Sequence, residues 1–511
     1  MQRRTFLRAT GAAGAAVVVG SWFRGTSWAE PFGEAPASAQ GVMLPAARQA
    51  KRVLEVFLYG GLSQWETLYL VRNYGRPTDP MYANQQYYTF DFDAAGGTRR
   101  ALTQCGFPAG AEIGQAFGRD ALGADVELGP FARRLWMRPD LTDRMRLIVQ
   151  RHKLEPHEAA VPQALTGRPV GQTAAAGLGA HVQRYHVDRD GGDRPAPWSY
   201  VFATGGVAGD NVSAAAATGV HPGAARPLLV KIDNAETFSR LLGREEVRSG
   251  GAVEPYDALM RTYVDAYGKR LSWQGTPVRS RRFADLTIAA GTVATSDAIA
   301  TVLEPRLFTN RPGAACGQNR SRDITGMSLE AARHLLTHPT QPARYVCVSD
   351  TGLYEASGGG GYDTHDSNAF DTARNFDNLL RSLLAIVNGP GETDPTKLSL
   401  DDTLIILNTE FGRTPWAQDG GDGRNHHPYG YVTAFIGATV TAAEKGVYGA
   451  IGPDGRATEA ATPSENRIAA LLSMGIWPFA PEAFAVSDVT GAISEEDAAR
   501  KATARVLGVS L

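Results

Sequence analysis

The stretch TLIILNTEFGRTP, from Thr403 to Pro415, combines an unbroken apolar run with an abrupt polar end. Its first six residues, Thr403–Asn408, favour a β-strand and lead directly into Thr409 and Glu410. A strand that is apolar on both faces must be covered on both faces, which is typical of parallel or mostly parallel sheets. The stretch therefore predicts a central strand whose carboxyl end carries a carboxylate.

The same pattern recurs along the chain, and helical patterns alternate with it. The other strand-like runs, each ending in a polar or glycine-containing loop, are Arg52–Tyr59, Arg146–Gln150, Pro227–Ile232, Arg344–Val348 and Tyr431–Ile436. The helical patterns cover Ser328–His338, Asp366–Val387 and Ser464–Met474. This alternation predicts an α/β fold with a mostly parallel central sheet that is flanked by helices on both faces.

Length and composition set the domain organisation. The chain has 511 residues, of which 43% are hydrophobic and 20% are charged, and no linker divides it. We predict a single domain over 51–511, with insertions around 77–129 and 195–223, where periodicity is lost. The formal charge is -2. Because no basic stripe accompanies the aromatic residues, nucleic acid is excluded as a partner.

The amino terminus has the pattern of an export signal. Arg3 and Arg4 precede Phe6, and a weakly apolar run then leads to a small-x-small motif at Ser27–Ala29. We predict a twin-arginine signal peptide over 1–29, the export machinery as a partner, a periplasmic or extracellular location, and an exposed segment over 30–50. The apolar run is too short for a stable membrane span after processing. A short anchor and cleavage after residue 39 are the alternatives.

Three cysteines are too few for a disulfide scaffold. Cys347 lies in an apolar run and is predicted to be a core residue. A bridge between Cys105 and Cys316 is left open, because it requires an oxidising compartment and nothing local fixes its geometry.

Acidic and imidazole side chains are concentrated in three short stretches. These are GGGGYDTHD at 358–366, the TEFGRTP that contains Glu410, and GRNHHPYG at 423–430. Since ligands of α/β proteins bind beyond the carboxyl ends of strands, we predict that these side chains converge on a buried divalent metal. The predicted ligands are Asp363, His365, Glu410 and one of the pair His426 and His427. Mixed carboxylate and imidazole ligands favour one or two Zn or Mn ions, without excluding Mg or Ca.

Three further residues are catalytic candidates. His157 follows a strand end and is interpreted as a general base, a metal ligand or a nucleophile, or else as a core histidine. Ser63, in a glycine-rich turn, is a candidate nucleophile or ligand, or simply a turn residue. Arg413 is a candidate for binding an anionic ester, although it could instead pair with Glu410.

The order of these motifs resembles that of a bacterial family. The chain contains GG-x-S from Gly60, H-x8-T-G from His157, GG-[WY]-D-T-H, E-F-G-R-T-P and [DN]-H-x-P in this order. This order is similar to that of the family known as domain of unknown function 1501, which belongs with the alkaline phosphatase and sulfatase superfamily. The resemblance covers nearly all of the predicted mature chain. It implies an alkaline phosphatase-like fold, export and a metal centre.

Two departures from the superfamily pattern narrow the function. His157 stands where sulfatases carry the Cys or Ser that becomes their nucleophile, which argues against a formylglycine sulfatase. Glu410 and Phe411 stand where the superfamily has Asp-His, so a full two-metal site is in doubt.

The sequence leaves two hypotheses. The first is a metal-dependent hydrolase of phosphate or sulfate esters, with an anionic ester or glycan as substrate. The second is a binding or structural protein on a degenerate scaffold.

Overall fold

The computed structural model describes residues 32–72, 98–108, 110–172, 175–190, 196–219, 226–232, 302–353, 360–418 and 423–511, together with isolated positions at 74, 258, 259, 262, 266 and 299. The predicted signal peptide over 1–29 lies outside these residues, and so do residues 77–97 of the predicted insertion over 77–129. Within the described part of the chain, no helix is both long enough and apolar enough to cross a membrane.

The described residues form sixteen strands. In chain order they are β1 (Arg52–Leu58), β2 (Gln115–Arg119), β3 (Asp125–Leu128), β4 (Met145–Gln150), β5 (Ser199–Ala203), β6 (Leu228–Lys231), β7 (Gly313–Ala315), β8 (Gln318–Arg320), β9 (Tyr345–Asp350), β10 (Thr403–Asn408), β11 (Gly412–Arg413), β12 (His426–His427), β13 (Tyr431–Gly437), β14 (Gly446–Tyr448), β15 (Ala450–Ile451) and β16 (Ala457–Glu459).

The α-helices alternate with the longer strands. They are α1 (Thr98–Gln104), α2 (Arg133–Trp136), α3 (Pro139–Thr142), α4 (His157–Thr166), α5 (Leu178–Asp190), α6 (Gly206–Ala216), α7 (Ile324–Leu336), α8 (Asn368–Ile386), α9 (Pro463–Ser473) and α10 (Glu495–Ala502). Short 3₁₀ turns cover Ala37–Val42, Ala46–Arg48, Pro130–Ala132, Pro305–Phe308 and Val486–Asp488, and a π-helical turn covers Thr503–Leu507.

Eight of the strands form one sheet in the order β14-β4-β13-β10-β1-β9-β5-β6. β1 lies at its centre and runs parallel to both β10 and β9. Only β13 is antiparallel to its neighbours β10 and β4, and all other pairings in this sheet are parallel. The predicted α/β fold with a mostly parallel central sheet is therefore confirmed.

Both faces of the sheet are buried, as the apolar strands require. On β1, Leu54 and Val56 face one core, which also contains apolar residues of α7 and α8. Val53 and Phe57 face the other core, which contains residues of α4, α5, α6, α9 and α10. The alternation along β1 thus places one set of helices on each side of the sheet.

The segment over 30–50, which was predicted to be exposed, is exposed at some positions and buried at others where the structure describes it. The side chains of Phe32, Ala39, Val42 and Leu44 are buried in the core on the α9 side of the sheet. The backbone N–H of Ala50 also donates to the carbonyl of Ser473 over 2.7 Å. The prediction failed because the apolar residues of this segment are spaced irregularly, without the period of a helix or a strand.

The predicted insertion over 195–223 is also incorrect. It contains β5, which pairs in parallel with β9 and β6 and is buried at every position, and it contains α6. The strand is short and lies directly after a proline-rich stretch, which concealed it. In the described part of 77–129, α1 and a hairpin of β2 and β3 are present.

A disulfide joins Cys105, just after α1, to Cys316 between β7 and β8, while Cys347 is a buried free thiol in β9. The bridged residues are 211 positions apart. Cross-linking so long a loop restricts the unfolded chain, so replacing Cys105 by Ala should lower the free energy of unfolding by about 3–5 kcal/mol.

Urea denaturation under oxidising conditions would measure this loss. Replacing Cys316, or both residues, should have the same effect, because either change alone breaks the bond. A wild-type unfolding curve that dithiothreitol leaves unchanged would rule out the bridge.

Candidate metal centre

The carboxyl ends of β1, β9 and β10 carry three loops that meet at Asp363. The approach of the first two loops requires glycine at position 60, where φ is +108° and a Cβ atom would lie 2.2 Å from the backbone N of Asp363. The loop after β4 adds His157, the first residue of α4. The topology of the sheet therefore gathers residues that are far apart in sequence.

Three imidazoles surround the carboxylate of Asp363. Its Oδ1 lies 3.1 Å from His365 Nε2 and 3.2 Å from His426 Nε2, and its Oδ2 lies 3.4 Å from His157 Nε2. The two Nε2 atoms of His365 and His426 are 3.0 Å apart. His157, Asp363 and His426 each offer a ligand atom, and these atoms lie within 4.8 Å of one another.

The other ring nitrogen of each imidazole faces an acceptor. Nδ1 of His157 is 2.9 Å from Glu410 Oε1, that of His365 is 2.7 Å from Gln418 Oε1, and that of His426 is 2.9 Å from the carbonyl of residue 155. Because each Nδ1 faces an acceptor, Nδ1 carries the proton of a neutral ring. Nε2 is then unprotonated, and its lone pair points towards Asp363. This is the arrangement that orients histidines around a metal.

The converging nitrogen and oxygen atoms form a place that suits a cation. Without a proton or a metal ion between them, nitrogen and carboxylate acceptors would repel each other at 3.0–3.4 Å. His157 Nε2 is also buried and makes no hydrogen bond within the described residues. Separations of this size are those between neighbouring ligand atoms that each lie about 2.0–2.2 Å from a common ion. The donor set thus fits a divalent metal of the zinc or manganese kind.

In the protein without metal, protons supply the positive charge. Burial lowers the pKa of His157, but the neighbouring carboxylates of Asp363 and Glu410 outweigh burial and raise that pKa to about 9. Burial would raise the pKa of Asp363, yet the histidines and Arg413 hold it well below its usual range. Asp363 is therefore ionised at neutral pH, as a metal ligand must be.

In this structure Glu410 contacts the ring of His157 from behind and does not face the histidine cluster. Its Oε1 accepts from Gly60 N over 2.7 Å and from His157 Nδ1, and its Oε2 accepts from Thr409 Oγ1 over 3.3 Å. The side chain is fully buried. Glu410 was predicted to be a ligand because a carboxylate at a strand end suits a metal, but here it fixes the ring of His157 instead.

Arg413 is fully buried and is not free to bind an ester, which corrects its predicted role. Its Nη2 donates to Asp363 Oδ1 over 2.5 Å and to the carbonyl of Gly60. Its Nε donates to the carbonyl of Gly61, and its Nη1 to that of Arg424. Arg413 therefore holds Asp363 in place and balances its charge.

Ser63 is also occupied elsewhere. Its hydroxyl donates to Glu66, whose other carboxylate oxygen pairs with Arg424 Nη2 at 2.5 Å. All three side chains are buried. The serine that was a candidate nucleophile is thus part of a buried ion-pair network, as a turn residue at the end of β1 would be.

The strand β12 separates the tandem histidines. Its residues alternate between faces, so His426 lies opposite Arg413 in the ladder and faces Asp363, while His427 pairs with Gly412. The Nε2 of His427 lies 2.8 Å from the carbonyl of Gly455. Burial lowers the pKa of His427 to about 4. Of the two predicted alternatives, His426 belongs to the centre and His427 packs outside it.

Several further residues contact the histidines and Glu410. Gln418 orients His365, and Phe411 packs its ring 4.4 Å from that of His426. Tyr59 stacks on His157 at 5.2 Å, and His152 Nε2 lies 2.5 Å from the carbonyl of Glu410. The position of Tyr59 and His152 just after strand ends was a usable signal. Nothing in the sequence around Gln418 indicates its role.

A buried aspartate next to the centre gives a pH-dependent prediction. Burial raises the pKa of Asp350 to about 6, against hydrogen bonds from Thr325, Tyr362 and Gly352. The pKa of an unfolded aspartate is 3.8, so the stability from this group is fully present below about pH 4 and is lost as pH rises to about 6. Replacing Asp350 by asparagine removes this loss.

We expect the free energy of unfolding of the Asp350→Asn variant, measured relative to that of the wild type, to be higher at pH 6.5 than at pH 4 by about 2–3 kcal/mol. Urea titrations at half-unit pH intervals would measure the difference. Wild-type and variant stabilities that run in parallel with pH would show that Asp350 is not protonated in this range.

In a comparison with known proteins, part of the chain matches a family model. Residues 323–475 match the family model described as "Protein of unknown function (DUF1501)". This span contains Asp363, His365, Glu410 and His426, but not His157. The match confirms the resemblance seen in the sequence over these residues. No curated protein matches the chain.

Proposed function

We propose that this protein is an exported, metal-dependent hydrolase of phosphate or sulfate esters. The observation that carries the proposal is the cluster of three imidazole Nε2 atoms around the Asp363 carboxylate, with each Nδ1 held by an acceptor. Packing alone does not account for three imidazole nitrogens that converge on one buried carboxylate.

The proposed metal ligands are His157, Asp363, His365 and His426. A bound divalent cation would supply Lewis-acid chemistry, polarising an ester oxygen and making a water molecule a stronger nucleophile at neutral pH. Glu410, Gln418 and the carbonyl of residue 155 orient the rings. Of the four ligand side chains, His365 is the most exposed at 29%, so the ester would approach from its side.

The placement of the centre supports an alkaline phosphatase-like fold. The glycine-rich turn follows β1, two proposed ligands lie in the loop after β9, and a third lies in β12. This order along the chain is the one expected from the superfamily pattern. The superfamily pattern has a histidine directly after the residue that corresponds to Glu410. In this chain Phe411 stands there instead, and its ring packs on those of His157 and His426. We therefore propose a single ion rather than a pair.

Export is supported by the disulfide and by the amino-terminal pattern. A bridge between Cys105 and Cys316 persists in oxidising compartments such as the periplasm. The Arg-Arg-Thr-Phe-Leu sequence from Arg3 suits twin-arginine export, which carries folded proteins and hence proteins with metal already bound. We propose a periplasmic or extracellular location on these grounds.

The proposal is tested by turnover of three aryl esters: 4-nitrophenyl phosphate, bis(4-nitrophenyl) phosphate and 4-nitrophenyl sulfate. We expect hydrolysis of at least one, its loss on dialysis against EDTA, and its return with Zn or Mn. The Glu410→Gln variant should keep its fold and lose roughly 10- to 100-fold in metal affinity, because an orienting partner of a ligand is weakened.

Two outcomes would reject the proposal. Protein that holds one metal per chain but hydrolyses none of the three esters would favour a binding or structural role on a degenerate scaffold. Protein that hydrolyses an ester equally well with and without EDTA would separate the activity from the histidine cluster.

A further inference from the structure

A second candidate site lies between α7 and α8, outside the histidine cluster. The two helices enclose a cavity of about 470 Å³, which we call the α7–α8 cavity. Small organic ligands occupy clefts of about 300–1,000 Å³, so the volume is sufficient for one. The lining residues come from both helices and from the segments around residues 311 and 396, which are described parts of the chain.

The charged lining of this cavity is predominantly cationic. Its cationic side chains are those of Arg311, Arg333, Arg381 and Lys397, and its acidic ones are those of Asp323 and Glu330, a net charge of +2 from four cations and two acids. Lys397 also pairs with Glu392 over 2.7 Å, outside the lining. The surplus of positive charge favours an anion.

Both acids are already engaged. Asp323 Oδ1 caps α7 by accepting from Gly326 N over 2.9 Å, and it accepts from Asn378 Nδ2 over 2.9 Å. Glu330 pairs with Arg333 through two hydrogen bonds of 2.6 and 3.0 Å. Glu330 and Arg333 thus neutralise each other, and the remaining cations carry the surplus.

Arg381 and Arg311 are the least compensated cations of the lining. Arg381 donates to the carbonyl of Ala314 over 2.8 Å and to Asn378 Oδ1 over 2.5 Å, and it forms a longer ion pair of 3.5 Å with Asp323 Oδ2. These bonds hold the guanidinium in place. Arg311 is exposed, and its charge acts on Glu330, a carboxylate that Arg333 already pairs through two hydrogen bonds. A planar guanidinium of this kind matches the oxygens of a phosphate group.

Part of the lining is apolar. Pro312, Ala385 and Ile386 line the same cavity as the arginines. An inorganic ion would leave this surface in contact with water, whereas a ligand with an organic group would cover it. We propose that the α7–α8 cavity binds a small organic phosphate, with its anionic head on Arg311 and Arg381 and its organic group against Ile386.

Isothermal titration of the full-length protein with phenylphosphonate would test this assignment, because a phosphonate is not hydrolysed. We expect binding with a Kd below about 1 mM, and weaker binding of inorganic phosphate, which lacks the phenyl group. The Arg311→Gln, Arg381→Gln double variant should weaken binding at least roughly tenfold, since charge-assisted hydrogen bonds are the strong ones.

Three controls locate the binding site. Arg119→Gln removes an exposed arginine that is paired with Asp125 elsewhere on the surface, and it should leave binding unchanged. Arg311→Gln alone, at an exposed side chain, should weaken binding several-fold without affecting the fold, so an unstable double variant would not prevent the test. His157→Ala should leave binding intact.

The proposal is overturned by any of three results. Phenylphosphonate does not bind at 10-fold above the expected Kd, or it binds equally to wild type and to a folded Arg311→Gln variant. Alternatively, binding disappears in His157→Ala while the arginine variants retain it, which would place the ligand at the metal centre.

Discussion

Replacing Asp363 by asparagine is expected to abolish stoichiometric metal binding and to lower ester turnover by at least about a thousandfold. The carboxylate is the common neighbour of three imidazoles and accepts from Arg413. An amide at this position removes one negative charge from the ligand set. The loss corresponds to roughly 4 kcal/mol of transition-state stabilisation, within the several kcal/mol that a Lewis acid provides.

Stability must be measured alongside, because the variant also leaves the Arg413 guanidinium buried without a charged partner. Breaking a buried pair in this way costs about 3–5 kcal/mol. The His426→Ala variant is a milder test of the same site, since it truncates a partly exposed ring and keeps the pair of Arg413 and Asp363. If the Asp363→Asn protein is folded and keeps its full metal content, Asp363 is not a metal ligand.

A large loss of stability is expected on replacing Arg467 by methionine. Glu55 lies in the middle of the central strand β1 with no exposed surface, and its Oε1 is 2.6 Å from Arg467 Nη1. Asn408 and Tyr345 also donate to Glu55, over 2.9 and 2.5 Å, but neither carries positive charge. Removing Arg467 leaves a buried charge uncompensated, and we expect a loss of about 3–5 kcal/mol in the free energy of unfolding.

The double variant Glu55→Gln, Arg467→Met separates charge from packing. It removes both charges, so we expect it to recover most of the stability that the single variant loses, as replacement of whole buried pairs often does. Urea unfolding followed by circular dichroism would measure all three proteins. A single variant as stable as the wild type would mean that Asn408 and Tyr345 suffice to hold the carboxylate.

Much of the fold was predictable because its strands are apolar on both faces. β1, β4, β9, β10 and β13 each coincide with a predicted run to within a residue or two at each end. Helix α7 begins earlier than the expected Ser328, since Asp323 caps it and accepts from Gly326 N. Short elements such as β5 carry too few residues for a period to be recognised.

The sequence predicted which residues come together in the site, but it did not predict which way their side chains point. Residue types indicated that Asp363, His365 and a tandem histidine would meet, and the structure brings Asp363, His365 and His426 together. Sequence cannot say which member of a hydrogen-bonded pair faces the ion, so the roles of His157 and Glu410 could not be separated. Nor could it place Arg413 inside the protein, because two of its acceptors are carbonyls that lie 352 and 353 residues away in the sequence.

The most direct test of the metal centre compares two adjacent histidines. His426 contacts Asp363, whereas His427 lies on the other face of β12 and contacts the carbonyl of Gly455. Elemental analysis of purified protein should find one Zn or Mn per chain in the wild type, full content in His427→Gln, and little in His426→Gln. Absence of metal from the wild type, or equal content in the two variants, would contradict the centre described here.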